Sequence, residues 1–194
     1  MSQVTLLDII ADPQFYETIE NYKPLEDQLL ALVKRLLPEG WEFSRRSVWF
    51  GCHPADEKYN QLPQQGWKIH VSSAITNTED ILRVVVPILA RHNISFKFAL
   101  DLEILRLMNS KGWSRQAAGK FITVYPLDEE QFKFIIEELY QATRLFEGLY
   151  ILSDRRYKDS RVIFYRYGGI RPHAYPNSKG EQVSVHWKLN ILGF

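Results

Sequence analysis

The sequence predicts an α+β fold, in which helices flank a mixed, mainly antiparallel sheet. Amphipathic helical segments and short alternating strands interleave along the chain without the regular strand-helix repeat of a parallel α/β protein. The 194 residues are 45% hydrophobic and 13% aromatic, which suffices for a substantial core. We predict one domain over 1–194, with an N-terminal helical segment at 1–40, a core at 41–171, and a C-terminal hairpin or linker at 172–194.

The first predicted elements are a helix and a strand. Leucines and a valine recur at helical spacing until Pro38-Glu39-Gly40, which ends the helix. Trp41–Phe50 alternates imperfectly and is predicted to form one strand. His53–Gln65 is polar and contains two prolines, so we predict a loop there.

The segment Lys68–Ser72 gives the clearest strand signal, because polar and β-branched residues alternate strictly. A strand here places its polar residues on one face and the apolar Ile69 and Val71 on the other. Lys68 and His70 then lie roughly 7 Å apart on the polar face, since a strand rises about 3.3 Å per residue.

The middle of the chain predicts a helix, a strand and a shorter helix. Asn77 or Thr78 can cap a helix whose apolar stripe continues past Pro87, where we expect a kink. The strand is predicted over Ser95–Leu100 and the short helix over Leu102–Met108.

The last predicted helix has the clearest start signal. It begins at Asp128, which has capping-box spacing with Gln131. Leu127 and Phe132 are placed as a hydrophobic staple across this start. Four strands are predicted around the helix, the third of them ended by Gly168-Gly169. They cover Lys120–Tyr125, Tyr150–Leu152, Val162–Tyr167 and Gln182–Leu189.

Composition argues against several classes of protein. A formal net charge of +1 does not favour nucleic-acid or membrane-surface binding. The single cysteine, Cys52, rules out an intrachain disulfide and a cysteine-rich zinc site, and the five histidines lack metal-ligand spacing. The first residues do not resemble a secretory signal, and the apolar run Val84–Ala90 is too short to span a bilayer. We therefore expect a cytoplasmic protein without a metal.

Cations stand where apolar residues are expected. Lys97 lies between two phenylalanines, Lys120 opens an apolar strand, and Arg166 lies between two tyrosines. With Arg155 and Arg156 they would suit a doubly charged phosphate, because arginine forks match its oxygens. The alternative is a solvated sheet face for the lysines and ion pairs of the two neighbouring arginines with Asp154 and Asp159. His70 could equally be a hydrogen-bonded core histidine.

Five motifs together resemble one family, the N-terminal phosphoserine/phosphothreonine lyase domains of class III and class IV lanthipeptide synthetases. They occur in the same order and at compatible spacing, from about Trp41 to Arg171. More distantly, the family is similar to secreted bacterial effectors that act as phosphothreonine lyases. The motifs are Gly66-Trp67-Lys68-Ile69-His70-Val71-Ser72, Phe96-Lys97-Phe98, Gly119-Lys120-Phe121-Ile122-Thr123-Val124-Tyr125-Pro126, Tyr150-Ile151-Leu152-Ser153-Asp154-Arg155-Arg156-Tyr157 and Arg166-Tyr167-Gly168-Gly169.

The resemblance implies a phosphothreonine-lyase-like fold and a β-elimination. A phosphorylated Ser or Thr in a precursor peptide loses its α-proton and its phosphate, which leaves dehydroalanine or dehydrobutyrine. By the resemblance, Lys97 is the general base and His70 the general acid, whose pKa near 6.5 in a free histidine makes the charged form accessible. Lys68 stabilises charge on the substrate carbonyl or holds the phosphate. The implied phosphate ligands are Lys120, Arg155, Arg156, Tyr125 and Arg166, and no metal or organic cofactor is implied.

The implied partners are the phosphorylated precursor peptide and the kinase and cyclase domains of a synthetase. The sequence contains neither a kinase catalytic loop nor the cysteines of a cyclase zinc site. We expect either an excised domain of a synthetase or a stand-alone lyase. Two alternatives are a non-catalytic phosphopeptide-binding module and an effector-type lyase that acts on folded kinases.

Overall fold

The computed structural model describes residues 22–24, 28–56, 61–171, 173–176 and 182–185. Most of the predicted N-terminal segment, including 1–21, lies outside the described residues. The described helices are α1 (Gln28–Leu36), α2 (Thr78–Arg91), α3 (Leu102–Met108) and α4 (Glu129–Ala142), and a 3₁₀ turn, Ile75–Asn77, precedes α2. The strands are β1 (Trp41–Arg46), β2 (Trp49–Pro54), β3 (Gln65–Val71), β4 (Phe96–Ala99), β5 (Ile122–Val124), β6 (Arg155–Arg156), β7 (Ile163–Gly169), β8 (His173–Pro176) and β9 (Gln182–Val185).

Seven of these strands form one sheet in the order β1-β2-β4-β5-β3-β7-β6, and every neighbouring pair is antiparallel. Strands β8 and β9 pair separately. Strand β9 lies within the predicted last strand, whose residues 186–189 are outside the described part. The predicted α+β class, with a mainly antiparallel sheet and flanking helices, is confirmed.

The sheet has two unlike faces, and β3 shows both. Ile69 and Val71 are completely buried on the face that α4 covers. There the ring of Trp67 stacks on Phe132 of α4, with centroids 4.9 Å apart and an interplanar angle of 15°. We call this the helix-covered face. Lys68 and His70 point to the opposite face, as their alternation predicted, and we call that the cationic face.

Helix starts follow local rules only in part. Asp128 accepts a hydrogen bond from the backbone N–H of Gln131 (2.7 Å), while the Gln131 side chain accepts one from Leu127 N (2.8 Å), so the predicted cap is confirmed. At α2 the predicted side-chain cap is absent: Asn77 donates instead to the carbonyl of Glu147 (3.0 Å). A tertiary contact has replaced the local one.

Three predictions about strands are wrong. Trp41–Phe50 is not one strand, because a turn with Ser47 at φ 52° folds it into the β1–β2 hairpin. Strand β7 does not stop before Gly168-Gly169 but continues through both glycines, which pair with the start of β3. Tyr150–Leu152 forms no strand, and the segment after it supplies β6.

The loop after α4 packs closely against β3. A Cβ added to Gly148 would lie 2.4 Å from Ser72 Oγ and 3.0 Å from the Ser73 backbone nitrogen, so only glycine allows this approach. The loop then continues to Asp154 and β6. No helix among the described residues is long and apolar enough to cross a membrane.

Candidate active site

Sheet register brings the two predicted proton-transfer residues to neighbouring positions. Lys97 on β4 and His70 on β3 both pair with Thr123, on the intervening strand β5. Residues paired in this way point to the same face, so the three side chains form a row on the cationic face. Two interstrand spacings separate the Cα atoms of Lys97 and His70, about 10 Å. Thr123, with its short side chain, lies between them.

A second row runs beside the first. Lys68 pairs with Arg166 on β7, so both side chains also lie on the cationic face. The ammonium of Lys68 donates to the carbonyl of Gly169 (2.6 Å), and Lys68 is 7% exposed. Lys120, just before β5, is 3% exposed. The alternative of a solvated sheet face is therefore wrong for Lys68 and Lys120.

One carboxylate, Asp154, lies among these cations with its side chain completely buried. It forms a hydrogen bond with Nδ1 of His70 and accepts another from Ser153 Oγ (2.8 Å). Its Oδ1 lies 3.3 Å from Lys120 Nζ and 3.8 Å from Arg166 Nε. Burial alone would raise the pKa of Asp154, but His70 and Lys120 outweigh burial and hold that pKa well below its usual range.

Two buried donors at this carboxylate are left without hydrogen bonds. Neither Lys120 Nζ nor Arg166 Nε has a hydrogen-bond partner among the described residues, because their contacts with Asp154 lack hydrogen-bond geometry. A buried donor without a partner is costly. A ligand with several anionic oxygens would satisfy both donors.

The three lysines share a lowered pKa but differ in what opposes the lowering. Burial is the main cause for each, and the pKa of Lys68, Lys97 and Lys120 falls from 10.5 to about 8. Asp154 partly offsets this for Lys68 and Lys120. For Lys97, burial is reinforced by the charges of Lys68, Arg166 and Arg46. Lys97 is thus the lysine whose charged surroundings all favour the neutral amine.

The indole of Trp49 fixes the position of the Lys97 amine. Lys97 Nζ lies 4.4 Å from the centroid of this ring. Trp49 is on β2, two residues from Gly51, the residue that pairs with Lys97. The ring face attracts the ammonium form, so this contact opposes the lowering of the Lys97 pKa while it orients the side chain.

The surroundings of His70 favour its neutral imidazole form. Burial lowers its pKa to about 4, and the hydrogen bond with Asp154 only partly offsets that effect. In these surroundings the charged form of His70 is less accessible than in a free histidine. Since Nδ1 faces Asp154, the Nε2 atom is the one available to a ligand.

The remaining predicted phosphate ligands are placed unequally. Arg155 is exposed and lines a cleft together with Asp154 and Arg166, which we call the Asp154 cleft. Arg156 is also exposed but lines a different depression, beside Glu147 and Arg161. The register of β6 turns Arg155 to the side of Tyr165 and Ile69, and Arg156 to the side of Phe164 and His70. The alternative in which Asp154 pairs with these arginines is wrong, since Asp154 is engaged by His70, Lys120 and Arg166.

Tyr125 is half-buried just beyond the end of β5. Burial raises the pKa of its hydroxyl well above the usual range, and the nearby charge of Arg166 offsets part of this rise. The hydroxyl is thus a neutral donor near Arg166.

Sequence reasoning missed three residues of this site. Asp154 was considered only as a surface partner for arginines, although its position in a motif with Ser153 and two arginines was a signal. Trp49 and Thr123 gave no signal, because their roles depend on which strands become neighbours. Among the described residues, no group of three or more His, Cys, Asp or Glu side chains is arranged to hold a metal ion.

Comparison with known proteins identifies the family. The family described as "RamC, N-terminal domain" matches residues 29–188. The chain belongs to this family. A relative, the probable SapB synthase of Streptomyces coelicolor, is 35% identical over 175 residues, which cover 88% of this chain. The RamC-type domain spans 18% of the length of that relative. The resemblance to lanthipeptide synthetase N-terminal domains is confirmed.

Solved structures share the fold of this RamC-type domain. The phosphothreonine lyase OspF from Shigella flexneri has a TM-score of 0.52 at 19% identity, and the match covers 84% of this chain and 86% of OspF. The phosphothreonine lyase SpvC from Salmonella has a TM-score of 0.50 at 13% identity, covering 77% of this chain and 90% of SpvC. Family and fold together support a lyase-type role.

Proposed function

We propose that this domain is a phosphoserine/phosphothreonine lyase that eliminates phosphate from a phosphorylated lanthipeptide precursor peptide. The products are dehydroalanine from phosphoserine and dehydrobutyrine from phosphothreonine. The observation that carries the proposal is the arrangement around Thr123. A lysine with a lowered pKa and an aspartate-bound histidine flank this residue. Beside them are the Lys120 ammonium and the Nε atom of Arg166, neither of which has a hydrogen-bond partner among the described residues.

The phosphate is proposed to bind on the Asp154 side of the cationic face. Lys120 Nζ and Arg166 Nε supply donors that have no hydrogen-bond partner among the described residues, and Arg155 lines the cleft next to Asp154 and Arg166. The Tyr125 hydroxyl is a further neutral donor. One carboxylate cannot balance the surrounding lysines and Arg166, so a dianion relieves their mutual repulsion.

Lys97 is proposed to remove the α-proton. With a pKa of about 8, roughly one tenth of the amine is neutral at pH 7. The neutral amine takes the proton, the C–H electron pair forms the Cα=Cβ bond, and the Cβ–O bond to phosphate breaks. Lys68 lies in the adjoining row and stabilises the negative charge that develops on the carbonyl oxygen.

His70 is proposed to protonate the departing phosphate oxygen. It is neutral before substrate binds, so it must first gain a proton. The dianion adds negative charge to the cluster and raises the pKa of His70, and Asp154 stabilises the resulting imidazolium through Nδ1. Nε2 then donates to the leaving oxygen, and the imidazole returns to its neutral form. Substrate binding thereby charges the acid that the reaction needs.

The wider setting is also part of the proposal. In a class III or class IV synthetase, a kinase domain would supply the phosphopeptide and a cyclase domain would consume the alkene. We propose a cytoplasmic location and a single lyase domain over 1–194. The reaction needs no redox step, and the side chains described above supply both proton transfers.

Mass spectrometry of phosphoserine and phosphothreonine peptides incubated with the protein tests the proposal. The expected product has lost the elements of phosphoric acid and adds an external thiol, as an alkene does. A bound but unchanged peptide would instead establish a phosphopeptide-binding module. Recovery of the unmodified serine would establish a phosphatase. Elimination only from a folded, phosphorylated kinase would establish the effector-type activity.

A further inference from the structure

A second cleft adjoins the proposed phosphate site. Its walls include Trp113, Leu149 and Tyr150, and its volume is ≈ 450 Å³. This volume falls within the range of about 300–1,000 Å³ typical of pockets that enclose organic ligands. We call it the Trp113 cleft.

The Trp113 cleft shares a wall residue with the Asp154 cleft. Leu152 lines both, two residues before Asp154. Gly119 also lines the Trp113 cleft, immediately before the buried Lys120. Adjacent Cα atoms are about 3.8 Å apart, so the Trp113 cleft begins within about one residue of a proposed phosphate ligand.

The walls of the Trp113 cleft expose apolar surface. Leu152 is 67% exposed and Tyr150 is 58% exposed, although both lie next to fully buried residues. The Tyr150 ring is held edge-on against Phe164, with centroids 5.2 Å apart. Exposed apolar groups held in place around a cleft are typical of a recognition surface.

Two free cations stand at the same cleft. Lys111 and Arg115 line it and are exposed. Neither makes a hydrogen bond or an ion pair with another residue in the part of the chain that the structure describes. Their charges favour a carboxylate in the ligand that occupies the cleft.

We propose that the Trp113 cleft binds the substrate residues next to the phosphorylated residue and selects an apolar side chain accompanied by a carboxylate. This inference rests on the proposed function, because the phosphate site anchors the peptide. The apolar side chain packs against Trp113 and Leu152. The carboxylate pairs with Arg115 or Lys111. The cleft thereby decides which phosphorylated positions of a peptide are processed first.

A set of phosphoserine peptides tests the inference. The peptides differ only in two residues beside the phosphoserine, on either side: Leu-Asp, Leu-Lys or Ser-Ser. We expect KM for elimination to be about tenfold lower for Leu-Asp than for Ser-Ser when the pair stands on the side of the phosphoserine that reaches the cleft, because the leucine leaves water on binding. A tenfold change corresponds to about 1.4 kcal/mol. In Arg115→Glu the preference between Leu-Asp and Leu-Lys should reverse, and in Leu152→Ser the advantage of leucine should be lost.

The control is Leu145→Ser, which changes a leucine that is 96% exposed outside both clefts and should leave all ratios unchanged. Equal KM values for all peptides, or ratios that survive both cleft variants, would overturn the inference. Dissociation constants for the same peptides, from fluorescence anisotropy, separate the two proposals. If no peptide is eliminated, the lyase proposal fails, and the dependence of Kd on the flanking residues then decides the cleft alone.

Discussion

On β3, Ile69 and Val71 are completely buried against the helices, while Lys68 and His70 are buried almost as fully on the opposite face. The same strand thus removes apolar groups from water on one side and cations on the other. Burial of the apolar groups stabilises the fold, whereas burial of the cations opposes it. The lowered pKa values of Lys68 and Lys120 reflect this cost of burying a charge.

The helix-covered face stabilises the fold, whereas the cationic face is arranged to bind a ligand. On the helix-covered face apolar and aromatic side chains pack together, as in the stacking of Trp67 on Phe132. The cationic face keeps unsatisfied donors at Lys120 and Arg166 and balances them with one carboxylate. A phosphate ligand that satisfies these donors would therefore bind more tightly than it would to donors that already have partners. Four predictions test this difference between the two faces, ordered by the size of the effect that we expect.

Lys97→Ala should have the largest effect on catalysis and little effect on binding. Loss of the general base should lower kcat about 10²–10⁴-fold, while the Kd for phosphopeptide should change little. Lys97→Arg is the control, since it keeps a cation but not a titrating amine. In the unmodified protein, kcat/KM should rise as the pH approaches 8, because the amine of Lys97 loses its proton. Above pH 8 it should fall, because Lys68 and Lys120, whose pKa is also about 8, lose the charge that the substrate needs. Full activity in the alanine variant would refute the assignment of the base.

Asp154→Asn should lower kcat by about 10²-fold, because an amide neither stabilises the His70 imidazolium nor enforces its tautomer. The diagnostic readout is the pH profile of kcat. Without the carboxylate, the pKa of His70 in the substrate complex falls, so the alkaline limb should move to lower pH. A lower kcat with an unmoved alkaline limb would indicate a purely structural role.

Substitutions at two neighbouring residues of β3 should show that one face contributes to stability and the other to activity. Ile69→Ala leaves a cavity on the helix-covered face and should lower the free energy of unfolding by about 2–5 kcal/mol, with kcat of the folded protein little changed. Lys68→Met should leave stability equal or higher, because it removes a buried charge, yet lower activity strongly. Urea unfolding and elimination rates measure both. Destabilisation by Lys68→Met would contradict the conclusion that burial of this charge opposes folding.

The pH dependence of stability should show the smallest effect. The pKa of Lys68 is about 8 in the folded protein and near 10.5 when unfolded, so between these values the unfolded chain binds more protons. The free energy of unfolding should therefore rise with pH over this range, relative to Lys68→Met, and should show the full cost of the charge below pH 8. Cys52, whose pKa burial raises to about 12, acts in the opposite direction above pH 9, but it is common to both proteins and cancels. If the free energies of unfolding of the unmodified protein and of Lys68→Met differ by the same amount at every pH from 8 to about 10.5, the prediction is contradicted.

Local sequence rules predicted the elements whose signals are local. The alternation in Lys68–Ser72 gave the correct faces of β3, and the Asp128 cap follows from its spacing to Gln131. The β1–β2 hairpin was missed because its turn uses Ser47 at positive φ, where glycine or asparagine would have been the signal. Tyr150–Leu152 has strand-like residues but no strand pairs with it, and pairing is a tertiary property.

The family, the fold class and the cations of the motifs could all be predicted from the order of residues along the chain. Which of these residues meet depends on how the strands pack. The strand order β4-β5-β3 places Lys97 and His70 on either side of Thr123, although the chain visits these strands in a different order. The same packing buries Asp154 against His70 and removes water from the lysines. Desolvation and charge proximity depend on neighbours that are distant in sequence, and therefore the chemistry of the site could be read only from the folded chain.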